Sequence, residues 1–319
     1  MKAIGYTEFG GPEVLHVLEL PEPHAGPGQV RVHVQAAAVS PADTAARSGW
    51  MKHNYAPQTL PGGSYPEPPY VPGWDFCGVV DEAPDGISVR LGEKVIGLAL
   101  SPMGSVGAYA QYVVTDVRSV VRAPSNAAAV EASTLLMNAV TAYAMLEALA
   151  IPAGGTVAVT GAAGALGGYA VQLAKHHGLQ VIADAADADR ELVHELGADV
   201  VVGRGEGLAE RVRDAFPAGV DGVVDAALYT NDVVAAIRDG GAVTSARQHV
   251  GSNERAIRWH VVSVDQHTTR TDVLTTVRDL AEAGVLTLRV AGTLPAEQAA
   301  EAHRRLEAGG LRGRLVLTW

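Results

Sequence analysis

A regular alternation of short apolar runs and helical stretches starts at residue 156 and constrains the fold of this chain more than any other feature. The run 156–160 is mostly apolar, and residues 169–175, a few positions later, have helical spacing. Such alternation indicates βαβ units, and strands without a polar face are typical of a parallel sheet covered on both sides by helices. The predicted strands are 156–160, 179–183, 200–202, 222–225, 242–245 and 257–264.

The remainder of the chain has a different pattern. Residues 1–123 are rich in Gly and Pro and contain alternating runs such as 30–34, so this region is predicted to be mostly β. Residues 128–150 have helical spacing, and a last helix at 271–284 precedes two returning strands at 286–290 and 314–317. Because 319 residues exceed the usual size of one core, we expect two domains.

A glycine-rich turn joins the first strand of the alternating region to its helix. Small side chains there let a pyrophosphate approach the backbone amides of the helix N-terminus, where the helix dipole favours an anion. Asp184 ends the next strand, 20 residues beyond Gly164, where an acid can hold an adenosine ribose. The pattern predicts a dinucleotide site, although a tight strand-to-helix turn needs glycine even without a ligand. The turn residues predicted to bind the cofactor are Gly161, Ala162, Ala163, Gly164, Ala165, Leu166 and Gly167.

Composition limits the classes of partner. The net charge of −11 opposes nonspecific binding to nucleic acid or to an anionic membrane, and no stretch approaches eighteen uninterrupted apolar residues. The opening segment lacks the apolar core of a secretory signal, and the single cysteine, Cys77, cannot form an internal disulfide. We therefore expect a cytoplasmic protein that acts on a small-molecule substrate.

Several ordered motifs resemble the zinc-independent quinone oxidoreductase branch of the medium-chain dehydrogenase/reductase superfamily. They are Met1-Lys2-Ala3-Ile4, Gly10-Gly11-Pro12-Glu13-Val14-Leu15, Ser40-Pro41-Ala42-Asp43-Thr44, Arg47-Ser48-Gly49, Pro72-Gly73-Trp74-Asp75-Phe76-Cys77-Gly78-Val79-Val80, Leu91-Gly92-Glu93-Lys94-Val95, Thr141-Ala142-Tyr143, the glycine turn and Gly313-Arg314-Leu315-Val316-Leu317. The resemblance covers essentially the whole chain. It implies an α/β protein with a GroES-like β-barrel catalytic domain at 1–123 and 265–319, a Rossmann doubly wound parallel-sheet domain at 124–264, and a cofactor in the cleft between them.

The resemblance also suggests roles for individual residues. It implies cofactor contacts from Ser40, Thr141, Ala226 and Arg314. Asp43 matches a family position near the cofactor cleft, and Asn138 and Thr141 lie on the helix that faces the cleft in the family. A structural hydrogen bond for Asp43 and an ordinary helix position for Asn138 or Thr141 are the plain alternatives. Related reductases place tyrosines just after the Asp43 motif, and both are missing here. Tyr55, Tyr65 or Tyr70, in the long loop that follows, could supply the phenol hydroxyl instead, unless these rings only pack against their neighbours.

The same comparison argues against a metal site. Zinc-bearing relatives use a cysteine at the start of the Ser40-Pro41 segment, a Gly-His-Glu where this chain has Gly73-Trp74-Asp75, and often a lobe of four cysteines. One cysteine cannot build such a lobe, and Cys77 lies in an apolar run where a buried thiol is expected. We expect no zinc.

Without a Lewis acid, reduction of an activated double bond is easier than oxidation of an alcohol, because it needs mainly positioning and enolate stabilisation. The family resemblance implies an NAD(P)H-dependent reductase of quinones or α,β-unsaturated carbonyl compounds. Two alternatives stay open: a zinc-free alcohol dehydrogenase, and a cofactor-binding redox sensor or structural protein without turnover.

Two further expectations concern the cofactor and the assembly. Relatives usually prefer NADPH, but the segment after the second strand carries Asp184 and two more carboxylates, so we expect NADH to be used at least as well. Arg190 and Arg204 favour NADPH, since an arginine can pair with its 2′-phosphate, although an arginine that is only solvated is the simpler interpretation. The strand 257–264 should form a sheet edge, which predicts a homodimer.

Overall fold

The computed structural model describes residues 1–54, 64–84, 89–99, 106–247, 251 and 254–319. The chain divides into two compact units. One unit contains residues 1–137, 268–282 and 288–319, and the other contains residues 138–267 and 283–287.

The unit of residues 138–267 contains a six-stranded parallel sheet. Its strands are β8 (Thr156–Thr160), β9 (Gln180–Ala185), β10 (Val200–Gly203), β11 (Val220–Asp225), β12 (Ile237–Ser245) and β13 (Arg258–Val261). They lie in the order β10-β9-β8-β11-β12-β13, which is the 3-2-1-4-5-6 order of a doubly wound Rossmann sheet. The helices are most of α4 (Leu136–Leu149), α5 (Ala165–His176), α6 (Arg190–Glu195) and α7 (Leu208–Ala215).

The apolar runs explain this sheet. The central strand β8 is buried from Val157 to Thr160, and β9 is buried after its first residue, so both strands are covered on both faces. All six predicted strands of this region are confirmed, with boundaries that differ by a few residues. The order reverses between β8 and β11, and the carboxyl end of β8 at this switch point is where such sheets bind ligands.

The other unit is mostly β, as its Gly- and Pro-rich sequence predicts. A two-stranded antiparallel sheet pairs β1 (Lys2–Gly5) with β2 (His16–Glu19). A seven-stranded sheet has the order β14-β15-β3-β4-β5-β7, and β6 also pairs with β3. Its strands are β3 (Gln29–Ala38), β4 (Asp75–Glu82), β5 (Lys94–Leu98), β6 (Tyr112–Asp116), β7 (Val120–Arg122), β14 (Val290–Pro295) and β15 (Arg314–Thr318). The helices are α1 (Pro41–Arg47), α2 (Trp50–Asn54), α3 (Ala129–Ala132), the start of α4, α8 (Thr271–Glu282) and α9 (Ala299–Ala308).

Two sequence predictions need correction. The strand predicted at 286–290 is wrong, because strand pairing starts only at Val290. Thr287 instead contacts Gln172 of α5, which accepts a hydrogen bond from the Thr287 amide at 3.2 Å and donates one to the Thr287 hydroxyl at 2.8 Å. The predicted helix at 128–150 is two helices, α3 and α4, and α9 was not predicted at all.

One stretch, 129–149, is long and apolar enough by length and composition to cross a bilayer. However, 67% of its most apolar window is buried inside the protein, as in the core helix of a soluble protein.

Candidate functional site

The glycine turn lies at the carboxyl end of the central strand β8. Gly161 has φ +65°, a left-handed conformation that side chains rarely adopt. Gly164 is the N-cap of α5 and offers no side chain to the amides of the first helical turn. Residues 163–166 are half-buried, so a ligand can reach the backbone at this helix N-terminus.

The space around two glycines tests whether a dinucleotide fits. A Cβ on Gly164 would meet only the carbonyl oxygen of Gly161, at 3.1 Å, and would otherwise point into open space. A Cβ on Gly167 would lie 2.3 Å from that oxygen and 2.9 Å from Cα of Ala162. Gly167 therefore permits close packing of helix on strand, and Gly164 keeps the approach to the amides clear. Both requirements are those of a pyrophosphate-binding turn, so the residues fit the cofactor.

Asp184, near the end of β9, is joined to this turn. Its Oδ1 accepts hydrogen bonds from the amides of Gly161 at 2.6 Å and Ala162 at 3.4 Å, and its Oδ2 accepts one from the Tyr229 hydroxyl at 3.4 Å. Burial raises the pKa of this carboxyl, while the two amides oppose the shift. The structure thus brings Asp184 and the glycine turn together, as the sequence predicts.

A second carboxylate, which sequence reasoning missed, shapes the loop after β11. Asp225 is fully buried, and its oxygens accept hydrogen bonds from the Thr160 hydroxyl at 2.7 Å and from the amides of Tyr229 and Thr230. The loop passes the turn so closely that a Cβ on Gly161 would lie 3.5 Å from the carbonyl carbon of Ala226. Ala226, a predicted cofactor contact, therefore borders the glycine turn.

The two arginines that could hold a phosphate differ in their surroundings. Nη2 of Arg190 donates to the carbonyl oxygen of Val201 at 2.7 Å. Arg204 is exposed, and its positive charge lowers the pKa of Asp184. Among the described residues, its guanidinium has no hydrogen-bond acceptor.

In the other unit, Ser40 and Asp43 form the start of α1. The Ser40 hydroxyl accepts a hydrogen bond from the Ala42 amide at 3.3 Å, and Oδ2 of Asp43 accepts one from the Ser40 amide at 2.8 Å. Oδ1 of Asp43 accepts a third hydrogen bond, from the Gly73 amide at 2.8 Å. Asp43 is fully buried, and this burial raises the pKa of its carboxyl to about 7 although the two amides oppose the shift.

Asp43 also belongs to a buried polar chain that the sequence did not reveal. The Tyr109 hydroxyl lies 3.3 Å from Oδ2 of Asp43 and 3.3 Å from Nε2 of His303. Burial lowers the pKa of His303 to about 3, and the nearby charge of Arg47 acts in the same direction. His303 is therefore neutral in the folded protein, and no local pattern links residues so far apart in the chain.

Arg314, a predicted cofactor contact, forms an ion pair inside its own unit. Its Nη1 and Nη2 donate to the two carboxylate oxygens of Asp75 at 3.1 and 3.0 Å, and its Nε donates to the carbonyl oxygen of Val39. Both side chains are buried. Asp75 also accepts a hydrogen bond from the Met137 amide at 3.2 Å, next to the predicted residue Asn138.

The remaining candidates are Asn138, Thr141 and the tyrosines Tyr55, Tyr65 and Tyr70. Asn138 is half-buried and Thr141 is buried, both on α4. Tyr70 packs against Phe9 with ring centroids 5.2 Å apart, and Tyr65 packs on both rings, which is the packing alternative foreseen for these tyrosines. Tyr55 lies outside the described residues.

The described residues contain no group of three or more His, Cys, Asp or Glu side chains that could hold a metal ion. Cys77 is buried, and burial raises the pKa of its thiol to about 12. The expectation that the protein works without zinc stays a prediction.

Comparison with known proteins finds two matching families. Residues 26–125 match the alcohol dehydrogenase GroES-like domain family, and residues 196–317 match the zinc-binding dehydrogenase family. The chain is 30% identical to a 2-methylene-furan-3-one reductase of Solanum lycopersicum over 76% of its own length, but it spans only 61% of that protein. It is 29% identical to an NADPH-dependent alkenal/one oxidoreductase of Arabidopsis thaliana, covering 99% of this chain and 79% of the relative. A quinone oxidoreductase of Rattus norvegicus is 26% identical, with 99% and 97% covered.

Solved structures match the fold of this protein over the full length of its chain. A probable oxidoreductase from Mycobacterium abscessus is 31% identical with a TM-score of 0.83, covering 100% of this chain and 99% of that one. An NAD-dependent alcohol dehydrogenase is 30% identical with a TM-score of 0.84, and both chains are covered completely. The fold is therefore α/β with a GroES-like domain and a Rossmann-like parallel sheet, and the chain belongs to the quinone oxidoreductase-like branch of the medium-chain dehydrogenase/reductase superfamily.

Proposed function

We propose that this protein is an NAD(P)H-dependent oxidoreductase that reduces a quinone or an α,β-unsaturated carbonyl compound by hydride transfer. The observation that carries the proposal is the glycine turn, where Gly164 leaves the amides of α5 accessible at the switch point of a Rossmann sheet. Relatives named for quinone, alkenal and furanone reduction support the substrate class.

The reduced nicotinamide supplies the hydride when it is bound. The chain's own part is to bind and orient: the amides of the turn receive the pyrophosphate, and Asp184 lies where the adenosine ribose is held. Asp43 has a structural role in this proposal, because its oxygens accept hydrogen bonds from the amides of Ser40 and Gly73 and so hold the start of α1.

A second candidate is a zinc-free alcohol dehydrogenase, which the likeness to an NAD-dependent alcohol dehydrogenase favours. Oxidation of an alcohol needs a group that takes up the hydroxyl proton. Asp43, whose carboxyl pKa burial raises to about 7, accepts hydrogen bonds from two backbone amides, and we assign it a structural role rather than that of this base.

Cofactor oxidation with a panel of quinones, enones and ketones tests the proposal, with primary and secondary alcohols and the oxidised cofactor as the reverse panel. We expect turnover with quinones or enones, and its loss in Gly164→Val, which blocks the turn. Turnover of alcohols alone would favour the second candidate. Cofactor binding without turnover of any acceptor would favour a redox sensor or a structural protein.

For the cofactor we propose that NADH is used at least as well as NADPH. The buried carboxylate of Asp184 can accept hydrogen bonds from free ribose hydroxyls and repels a 2′-phosphate, and Arg190 is engaged with Val201. The exposed Arg204 and a relative named as NADPH-dependent argue for NADPH. Kinetics with both cofactors decide the matter, and a tenfold or greater preference for NADPH, about 1.4 kcal/mol, would overturn the proposal.

We also propose a cytoplasmic homodimer that binds neither nucleic acid nor membranes, with the domain limits predicted above. Strand β13 lies at the edge of its sheet and pairs only with β12 among the described strands, and Val261 at its end is 39% exposed. Such an edge can pair with a second copy of the chain. Light scattering that finds only monomer at micromolar concentration would contradict the dimer.

A further inference from the structure

The indole of Trp74 has an unused hydrogen-bond donor inside the protein. Its side chain is 2% exposed, and its Nε1 has no hydrogen-bond partner among the described residues. A buried N–H without an acceptor costs free energy, and an acceptor supplied by a ligand would remove this cost. Indole nitrogen donates and never accepts, which restricts the missing partner to an oxygen or another acceptor.

The segment around Trp74 is held by backbone hydrogen bonds and by a side-chain ion pair. The Gly73 amide donates to Asp43 at 2.8 Å, the Trp74 carbonyl accepts from the Ala99 amide at 2.7 Å, and Asp75 is paired with Arg314 through both carboxylate oxygens. Gly73 itself has φ +103°. A donor on such a rigid frame is preorganised, which is the requirement for stabilising a charge that appears only during a reaction.

The same frame contains residues that the family resemblance places around the reaction. Asp43 and Arg314 flank Trp74, and Asp75 accepts a hydrogen bond from the amide of Met137, the neighbour of Asn138. Asp43 accepts a hydrogen bond from the amide of Gly73, and Arg314 donates to both carboxylate oxygens of Asp75. Trp74 stands between Gly73 and Asp75 in the chain, and its indole retains an unused donor.

We propose that the indole N–H of Trp74 donates a hydrogen bond to the carbonyl oxygen of the substrate and stabilises the negative charge that reduction places on it. Asp43 and Arg314 act as positioning residues for this donor. The inference rests on the proposed function, and it supplies the hydrogen-bond donor that the missing tyrosines leave unassigned.

The reduction needs the hydride of the reduced cofactor and a proton from water, and it needs no proton from Trp74. Addition of hydride to the β-carbon moves the π electron pair of the carbon-carbon double bond toward the carbonyl, so that the oxygen becomes an enolate oxygen. The indole donates to this oxygen and keeps its proton, and water protonates the α-carbon. A donor that cannot take up a proton assists this reduction but cannot deprotonate an alcohol.

NMR of the indole groups tests the contact directly. The chain has four tryptophans, Trp50, Trp74, Trp259 and Trp319, so a ¹⁵N-labelled sample gives four indole signals. The probe is cyclohexanone, a carbonyl compound without a carbon-carbon double bond, added to the protein saturated with oxidised cofactor, which has no hydride to give. The signal that is missing from the spectrum of Trp74→Phe belongs to Trp74. We expect this signal of the native protein to move downfield when cyclohexanone binds. If another protein signal shifts with saturation while that of Trp74 stays in place, the proposal is wrong.

Kinetics give an independent readout. Trp74→Phe keeps an aromatic ring and removes the N–H, and we expect kcat/KM for the best enone or quinone to fall by roughly 100-fold. The dissociation constant of the cofactor should stay within about twofold, since the change does not touch the glycine turn. Trp319→Phe is the matched control, because Nε1 of Trp319 is also buried without a partner among the described residues. Its kcat/KM should stay at the native value.

The outcomes separate the two proposals. A native protein that turns over no acceptor contradicts the proposed function. A native protein that is active, with Trp74→Phe as active as Trp319→Phe, contradicts the role of Trp74 alone. If Trp74→Phe does not fold, the indole signals of the native protein, assigned through the other three tryptophan variants, still decide the question.

Discussion

Gly164 and Gly167 lie in one turn, and the same substitution should have opposite consequences at the two positions. A methyl group on Gly167 would lie 2.3 Å from the carbonyl oxygen and 2.6 Å from the carbonyl carbon of Gly161. Both atoms belong to the backbone and cannot rotate away, so α5 must shift from β8. Overpacking of this kind costs about 1–3 kcal/mol, and we place Gly167→Ala at the upper end, with a fall in Tm of roughly 6–12 °C.

At Gly164 the two effects of a methyl group nearly cancel. Its φ of −74° suits any residue, and the methyl would meet only one oxygen, at 3.1 Å. Alanine is a poorer N-cap than glycine by about 0.5 kcal/mol, but it reduces the entropy of the unfolded chain by a similar amount. Gly164→Ala should therefore leave the Tm almost unchanged. The larger Gly164→Val should also fold, while its branched side chain fills the approach to the amides and raises the cofactor Kd at least tenfold, about 1.4 kcal/mol.

Thermal unfolding without cofactor and fluorescence titration of NADH and NADPH measure the two effects separately. The reasoning predicts a stability defect in Gly167→Ala and a binding defect without a stability defect in Gly164→Val. Native affinity in folded Gly164→Val would refute the pyrophosphate site, and native stability in Gly167→Ala would refute the packing argument.

Three further predictions concern charge and metal. Burial raises the pKa of Asp43 to about 7, so the folded protein binds this proton more tightly than the unfolded chain. This proton contributes on the order of 4 kcal/mol to the free energy of unfolding. The contribution is fully present below about pH 4 and is lost as the pH rises through about 7. Asn does not titrate, so the stability advantage of the native protein over Asp43→Asn should be smaller in urea unfolding at about pH 8 than at about pH 5, and an equal advantage would contradict the pKa. Asp184→Asn keeps an oxygen for the Gly161 amide, whereas Asp184→Ser removes it. Both should raise the NADPH-to-NADH ratio of kcat/KM at least tenfold, and only Asp184→Ser should lower the Tm; an unchanged ratio would show that the charge of Asp184 does not select the cofactor. Activity should survive a chelator, and stoichiometric, tightly bound zinc in elemental analysis would overturn the prediction that no metal is needed.

The parallel sheet could be predicted from the sequence because its signals are local. Strand β8 was predicted with its observed boundaries, since its apolar run is bounded by the glycine turn, and Asp184 was placed correctly by its distance from Gly164. The failed strand at 286–290 shows the limit of such signals. Its residues have a β-type pattern, but the Thr287 amide binds the side chain of Gln172, which lies far away in the sequence.

The site in the other unit could be predicted only as a set of positions. Asp43 was recognised within its motif, but Tyr109, which donates to it, and His303, which contacts Tyr109, follow it by 66 and 260 residues, and no periodicity connects such positions. The predicted contact of Arg314 with the cofactor stays a prediction, and its buried ion pair with Asp75 was not foreseen. Long-range pairing of buried charges follows from the need to neutralise them, which a local pattern cannot express.

The segment Gly73-Trp74-Asp75 stands where zinc-bearing relatives have metal ligands, but its side chains have a different chemistry. Zinc-bearing relatives have Gly-His-Glu there, and a metal ligand needs an oxygen or nitrogen lone pair directed at the ion. Here both oxygens of Asp75 are occupied by Arg314, and the neighbouring side chain is an indole, which has no lone pair to offer. The buried guanidinium balances the carboxylate charge that a metal would otherwise share. What remains at residue 74 is a neutral donor on a rigid frame, which can stabilise a developing oxyanion but cannot bind a cation.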